Sequence, residues 1–282
     1  MIPVRSPSYV KVLVIALILG TAGSIFSWLT LPDWFPVQAA TQAQRQDQIY
    51  LVLMIVSSYI FAIIVAALGY SLWSFRAKPG DDSDGEPIHG HFGLEVIWTA
   101  LPTLLVIGLA VYAGVILVEN EALSKQHVVV DVTGQQFWWR FNYPGHTFTS
   151  GYAEVPVNED VQFRITSVPH DVVHEFYIPV FREGEDAVPG EITTLEAHPI
   201  RLGTYTVVCA ELCGIGHSQM RTIIRVVTQA QFQRWLAAMQ RAARPPASTA
   251  GTAGSTGSTT QSSAPAAGSF AASALLLSKG SI

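Results

Sequence analysis

The sequence predicts a membrane-anchored, otherwise all-β protein, with helical spans at the N-terminus followed by an exported sandwich or barrel. Three observations carry this. Residues 49–75 and 94–118 form apolar stretches longer than the roughly 20 residues needed to cross a bilayer. From residue 127 the pattern changes to short runs rich in β-branched residues, punctuated by Gly, Pro and Asn, as in small sandwiches and barrels. Only 13% of the 282 residues are charged and 49% are hydrophobic, where an average soluble chain carries about 25% charge. The net charge of −5 leaves no basic surplus for phosphate backbones, so no nucleic-acid partner is expected.

The first element lies in residues 1–39. An apolar run from Val12 to Leu31 follows Arg5 and Lys11 and precedes Val37-Gln38-Ala39. This is the layout of an export signal with a small-residue cleavage site, and removal is expected; a retained third span is the alternative. Residues 45–120 form a transmembrane hairpin. Ile49 to Phe75 holds no charge, and Leu94 to Val118 has one acid, Glu95, at its start. Arg76 and Lys78 mark the intervening loop as cytoplasmic, a rule to which the nearby acids Asp81, Asp82, Asp84 and Glu86 contribute little. The chain after Val118 therefore lies on the outer, periplasm-like side.

Within 125–230, the runs at His127–Thr133, Val161–Thr166, Thr204–Val208 and Thr222–Val227 read as strands. Residues 231–243 read as a short amphipathic helix with Phe232, Trp235, Leu236 and Met239 on one face. Residues 244–282 open as a Pro-, Ala-, Ser-, Gly- and Thr-rich linker that cannot bury a core. They close on an apolar patch, Phe270 to Ile282.

The chemistry is concentrated in Cys209-Ala-Glu-Leu-Cys213-Gly-Ile-Gly-His217-Ser-Gln-Met220. The chain has only two Cys and four Met, yet this stretch joins two thiols, an imidazole and a thioether. A disulfide would account for the cysteines but not for His217 or Met220. Zinc tolerates Cys and His but seldom takes a thioether. Covalent haem needs C-x-x-C-H, and the spacing here is C-x-x-x-C. Copper suits the whole set. Two cysteines on one loop could bridge two metals, provided a second histidine is supplied. Upstream, Pro169-His170-Asp171-Val-Val-His174-Glu-Phe-Tyr-Ile-Pro179 offers His170 and His174, the latter where a strand meets a loop.

These motifs resemble subunit II of the haem-copper cytochrome c oxidases, over roughly residues 45–240. The carriers are Asp171-Val-Val-His174 and Cys209-x-Glu211-x-Cys213-x-x-x-His217-x-x-Met220. The resemblance implies a cupredoxin-like Greek-key β-barrel with a binuclear copper centre, CuA. Cys209 and Cys213 would bridge the coppers. His174, rather than His170, and His217 would be terminal ligands, with Met220 a weak ligand and Glu211 a ligand through its carbonyl. The Glu211 side chain would help hold Mg at the subunit I interface. The implied partners are subunit I with its haems and CuB, the other oxidase subunits, membrane lipid, and a soluble or membrane-bound electron donor. The setting is a bacterial plasma membrane with the copper domain on the periplasmic side.

Further residues enter through the same resemblance. Glu95, in Glu95-x-x-Trp98-Thr-x-x-Pro102, corresponds to a proton-uptake position. In Gly134-Gln-Gln-Phe137-Trp138-Trp139, Phe137 stands where the family has an electron-receiving Trp, so Phe137 and Trp138 are the candidates here. Asp186-Ala-Val-Pro-Gly190 is followed by Glu191 where the family has Arg. Residues 126–230 carry 12 acidic and 6 basic side chains, a net −6, which suits docking of a basic donor, with Asp171 and Asp186 contributing. The tail resembles the first helix of a fused cytochrome c but ends before any C-x-x-C-H, so no haem c is expected. A quinol-oxidase subunit II typically lacks the copper ligands present here. A copper-carrying assembly protein would seldom need the paired spans and Glu211. A nitrous oxide reductase would need a large further domain.

Overall fold

The structure, a computed structural model, describes residues 8–76, 79–80 and 90–244. The readings placed on Arg5, on Lys78 with the neighbouring acids, and on the tail from residue 245 lie outside the described residues. Among the described residues, three helices are long and apolar enough to span a membrane. They are α1 (Ser8–Trp34), α2 (Thr41–Ser74) and α3 (Phe92–Asn120).

Helix α1 covers the run expected to be an export signal, and it packs closely on α2. A Cβ at Gly20 would collide with the Tyr59 ring, and one at Gly23 would sit 3.2 Å from Ser58. Glycine is what lets these two helices approach. Thr21 and Tyr59 share a hydroxyl hydrogen bond of 3.1 Å. The expected cleavage site is folded into the β domain. Ala39 and Ala40 are fully buried, the Ala39 amide donates to the Val180 carbonyl at 3.0 Å, and the Ala39 carbonyl accepts from Ile200 at 2.8 Å.

Helix α2 has 34 residues, or about 51 Å at 1.5 Å per residue, well beyond the roughly 30 Å hydrocarbon core. Its first two turns, Thr41 to Gln48, are polar and form a stem reaching the β domain. The expected boundary at Ile49 marked only its apolar part. His91 caps α3, its Nδ1 accepting from the Leu94 amide at 3.1 Å.

Two five-stranded sheets pack face to face. One runs β3 (Thr149–Ser150), β2 (Trp138–Asn142), β1 (Val128–Gln135), β5 (Val161–Ser167), β8 (Thr193–Ala197). The other runs β4 (Ala153–Pro156), β10 (Arg221–Val227), β9 (Gly203–Cys209), β6 (His174–Ile178), β7 (Glu183–Ala187). The sheets are mixed rather than purely antiparallel, because β1 pairs parallel with β5 and β10 with β4. Alternate residues Val130 and Val132, Phe163 and Ile165, and Phe176 and Ile178 fill the space between them, all fully buried. Phe176 lies at the centre, with Trp139 at 5.3 Å, Phe163 at 5.4 Å and Phe141 at 5.9 Å between ring centroids.

Helix α4 (Gln229–Ala243) opens on a reciprocal capping box between Thr228 and Gln231. Its expected face holds: Phe232 and Leu236 are buried, with Trp235 and Met239 packed on the core.

Where the stem meets the domain, Glu183 on β7 is largely buried. Asn120 at the end of α3 donates to it at 3.1 Å. Desolvation is the main cause that pushes its pKa up to about 7; Gln46 opposes the rise with a hydrogen bond, and Glu196 and Glu121 add to it. The folded value lies above the ordinary 4.5, so its stabilisation is complete below about 4.5 and is lost as pH rises through about 7. We expect Glu183→Gln to flatten the fall in melting temperature between these pH values. The gain at pH 8 should be on the order of 1 kcal/mol, since partial solvent access discounts the full linkage. An unchanged slope would contradict this.

Candidate metal centre

His174 opens β6, and Cys209 closes β9. These strands pair antiparallel with Phe176 opposite Cys209, which brings the buried imidazole to the root of the loop 209–220. The loop then folds back: the Cys209 amide donates to the Met220 carbonyl at 3.1 Å. A 3-10 turn at His217–Gln219 points His217 inward.

The donor atoms converge. The two Sγ atoms are 3.7 Å apart, far beyond the roughly 2.05 Å of a disulfide, and both cysteines are free. His174 Nδ1 lies 3.9 Å from Cys209 Sγ, and His217 Nδ1 lies 3.5 Å from Cys213 Sγ. Met220 Sδ is 3.8 Å from Cys213 Sγ, and the Glu211 carbonyl oxygen is 3.2 Å from Cys209 Sγ. Every residue of the expected ligand set is therefore gathered at one point. His170 is exposed, on a turn with φ 68°.

The donor set fits a soft metal. Burial, with the neighbouring Cys209 thiol, pushes the Cys213 pKa up to about 11, so without a cation this thiol stays protonated at neutral pH. A metal ion supplies the charge that holds two thiolates together. Burial lowers the His174 pKa and keeps the imidazole neutral, the form that binds metal. The zinc and disulfide readings leave Met220 Sδ, fully buried beside Cys213, without a role.

The surroundings hold residues that the sequence did not single out for this task. Asp171 faces the ligand, its Oδ2 lying 3.6 Å from His174 Nε2. It accepts from the Gln136 amide at 2.9 Å and the Val172 amide at 2.8 Å. Its side chain is only 8% exposed, so its charge stands beside a ligand imidazole whose Nε2 has no hydrogen-bond partner among the described residues. Trp139 stacks edge-on to His174, centroids 6.0 Å apart. The Gln136 side-chain amide donates to the Cys213 carbonyl. A Cβ at Gly134 would sit 3.2 Å from His174 Cδ2 and 3.0 Å from Trp139 Cζ3, which is why glycine stands there.

Phe137 lies directly on the ligand loop, where a Cβ at Gly216 would collide with its ring. Trp138 is 38% exposed, with the Arg140 guanidinium 4.6 Å from its ring centroid. Asp186 is exposed, and its carboxylate clusters with those of Glu175 and Glu211 within 4.8 Å. Glu95 is remote from all of these. It stands in the first turn of α3, its carboxylate accepting from the His91 amide at 3.3 Å.

Comparison with known proteins shows the family. Residues 151–227 match the family described as cytochrome C oxidase subunit II, periplasmic domain. Residues 27–115 match the transmembrane domain of the same subunit. Cytochrome c oxidase subunit 2 of Thermostichus vulcanus is 30% identical over 264 residues, covering 75% of this chain and 80% of that one.

The chain belongs to the cytochrome c oxidase subunit II family.

A second subunit 2, from Synechocystis sp., is also 30% identical, over 72% of this chain and 75% of its own length. Among solved structures, the periplasmic domain of subunit II (CoxB) of Bradyrhizobium japonicum is 27% identical. It covers 43% of this chain and 99% of that one, with a TM-score of 0.40. Subunit II is a component of the haem-copper terminal oxidase, and its β-rich, cupredoxin-like domain carries a copper site. The three apolar helices place it in a membrane.

Proposed function

We propose that this subunit is the electron-receiving part of the oxidase, with a binuclear CuA centre held on the outer side of a bacterial plasma membrane. The observation that carries this is the pair of Sγ atoms 3.7 Å apart, each faced by its own imidazole Nδ1. Copper held here would supply a one-electron relay between an external donor and haem in subunit I, where oxygen is reduced to water. Cys209 and Cys213 would supply the two thiolates that hold the metals. His174 and His217 would supply an imidazole each, and Met220 and the Glu211 carbonyl the remaining donors.

The protein matrix supports fast transfer by holding the ligands still. Asp171 places its carboxylate beside the His174 ring, Gln136 ties down the Cys213 backbone, and Phe137 and Trp139 pack against the loop and the His174 ring. Phe137 and Trp138 are the proposed receiving positions. Phe137 touches the loop and Trp138 meets solvent. The Glu211 carboxylate, with Glu175 and Asp186 beside it, is proposed to face subunit I and share a Mg ion there. Glu95, at the opposite end of the span, is the proposed proton-uptake residue of the assembled complex.

Electron spin resonance of the purified, partly reduced oxidase tests the reading. The expected result is a mixed-valence signal with the electron shared over two equivalent coppers. Hyperfine structure from a single copper would overturn it.

A further inference from the structure

We infer that Arg182 is a positioning residue, a latch that fixes the copper domain on the membrane anchor and so sets where the copper loop stands above the bilayer. Arg182 occupies the turn between β6 and β7, at the opposite end of β6 from the ligand His174. Its guanidinium forms a fork with Asp47 on the α2 stem, Nε to Oδ1 at 3.0 Å and Nη2 to Oδ2 at 3.1 Å. It also donates to the Pro36 carbonyl at 2.6 Å and to the Pro179 carbonyl at 2.9 Å. Its face lies over Phe35, 5.3 Å from the ring centroid. Gln38 Nε2 donates to the same Asp47 oxygen, Oδ2, at 2.6 Å.

Three features mark this as a built device rather than a surface ion pair. First, the side chains of Arg182 and Asp47 are only 5% and 15% exposed, so neither charge is satisfied by water if the other is removed. Second, Arg182 holds φ 60°, a left-handed conformation that glycine adopts far more readily; the side-chain contacts offset the backbone strain. Third, the guanidinium meets carboxylate, two carbonyls and an aromatic face together, which the compact lysine ammonium does not reproduce.

The consequence runs along β6. Arg182 anchors one end of this strand to the stem and to the α1–α2 connection, Phe35 to Ala40. His174 holds the ligand position at the other end, and β9 beside it carries Cys209. A released turn would let the whole sandwich tilt on its stem while the copper loop stayed internally intact. The Asp47 arm lies beyond the expected cleavage point, so it persists however residues 1–39 are processed.

The functional part of this inference rests on the CuA reading, and the test separates the two. Arg182→Gly relieves the backbone while removing the fork, and Asp47→Asn removes the charge while leaving the backbone alone. Both are examined in the assembled oxidase. We expect an unchanged copper spectrum and an unchanged rate of copper reduction by donor. The copper-to-haem rate should fall by on the order of tenfold, since small misplacements at a distance cost rate steeply. Residues 35–41 should become open to protease, and Arg182→Lys should recover part of the rate. Wild-type transfer and protease resistance in both variants would overturn the latch. Loss of the copper spectrum in the variants would make Arg182 a residue of the fold and overturn the positioning role. A wild-type oxidase lacking the mixed-valence signal would instead defeat the CuA reading, and protease access would still decide whether the latch exists.

Discussion

His217→Ala is expected to abolish the copper spectrum of the subunit while leaving its membrane helices and β domain assembled. His217 Nδ1 lies 3.5 Å from Cys213 Sγ, and it is carried by a short turn whose backbone is held independently, His217 N to Gly214 O at 3.1 Å. The side chain is half-buried and fills no core space, so its removal costs little folding energy. Its loss as a ligand is much larger. Losing an orienting neighbour of a ligand already weakens metal binding by about 10- to 100-fold, and losing a ligand itself should exceed that. Replacement from within the chain is blocked. His174 serves the other sulfur, and the other nearby histidine, His170, is exposed on a turn. Optical and electron spin resonance spectra, with copper content and far-ultraviolet circular dichroism, are the measurements. A wild-type spectrum from His217→Ala would refute the assignment.

Phe176→Ala is expected to be the most damaging single change to the domain itself. Phe176 is fully buried and touches the rings of Trp139, Phe141 and Phe163. Truncating such a side chain costs about 3–5 kcal/mol, the lost transfer energy plus the cavity it leaves. A domain stability of roughly 5–15 kcal/mol makes this a large share. The damage should reach the metal as well, because Phe176 lies opposite Cys209 in the β6–β9 pairing and Trp139 bridges it to His174. Denaturant unfolding should show a lowered midpoint, and copper retention should fall in parallel. A loss below about 1 kcal/mol would mean that the core collapses around the gap and that the ring cluster does not support the site.

Several strands escaped the sequence for identifiable reasons. β4 is buried at all four positions, so it shows no alternation to read. β7, Glu-Gly-Glu-Asp-Ala, has the composition of a loop and is a strand only because it pairs along β6 as a sheet edge. The α2 stem, Thr41 to Gln48, carries no apolar run to mark it as helix. It is helical because Arg45, Asp47 and Gln42 find partners in the domain and at the end of α3. Residues 12–31, expected to be an export signal, fold as a helix whose Gly20 receives Tyr59 and whose Gly23 lies against Ser58, a relation invisible without the partner helix.

What the sequence determined by itself is the chemistry and the setting. Ligand types crowded into one loop choose the metal, and uninterrupted apolar length chooses the membrane, because both depend on neighbours along the chain. The tertiary structure decided what depends on distant segments meeting. Strand pairing brought His174 to the cysteines. It also set the Asp171 carboxylate beside a ligand imidazole, and joined Arg182 to Asp47 across 135 residues. Such contacts arise from register and packing between elements, which no local pattern records.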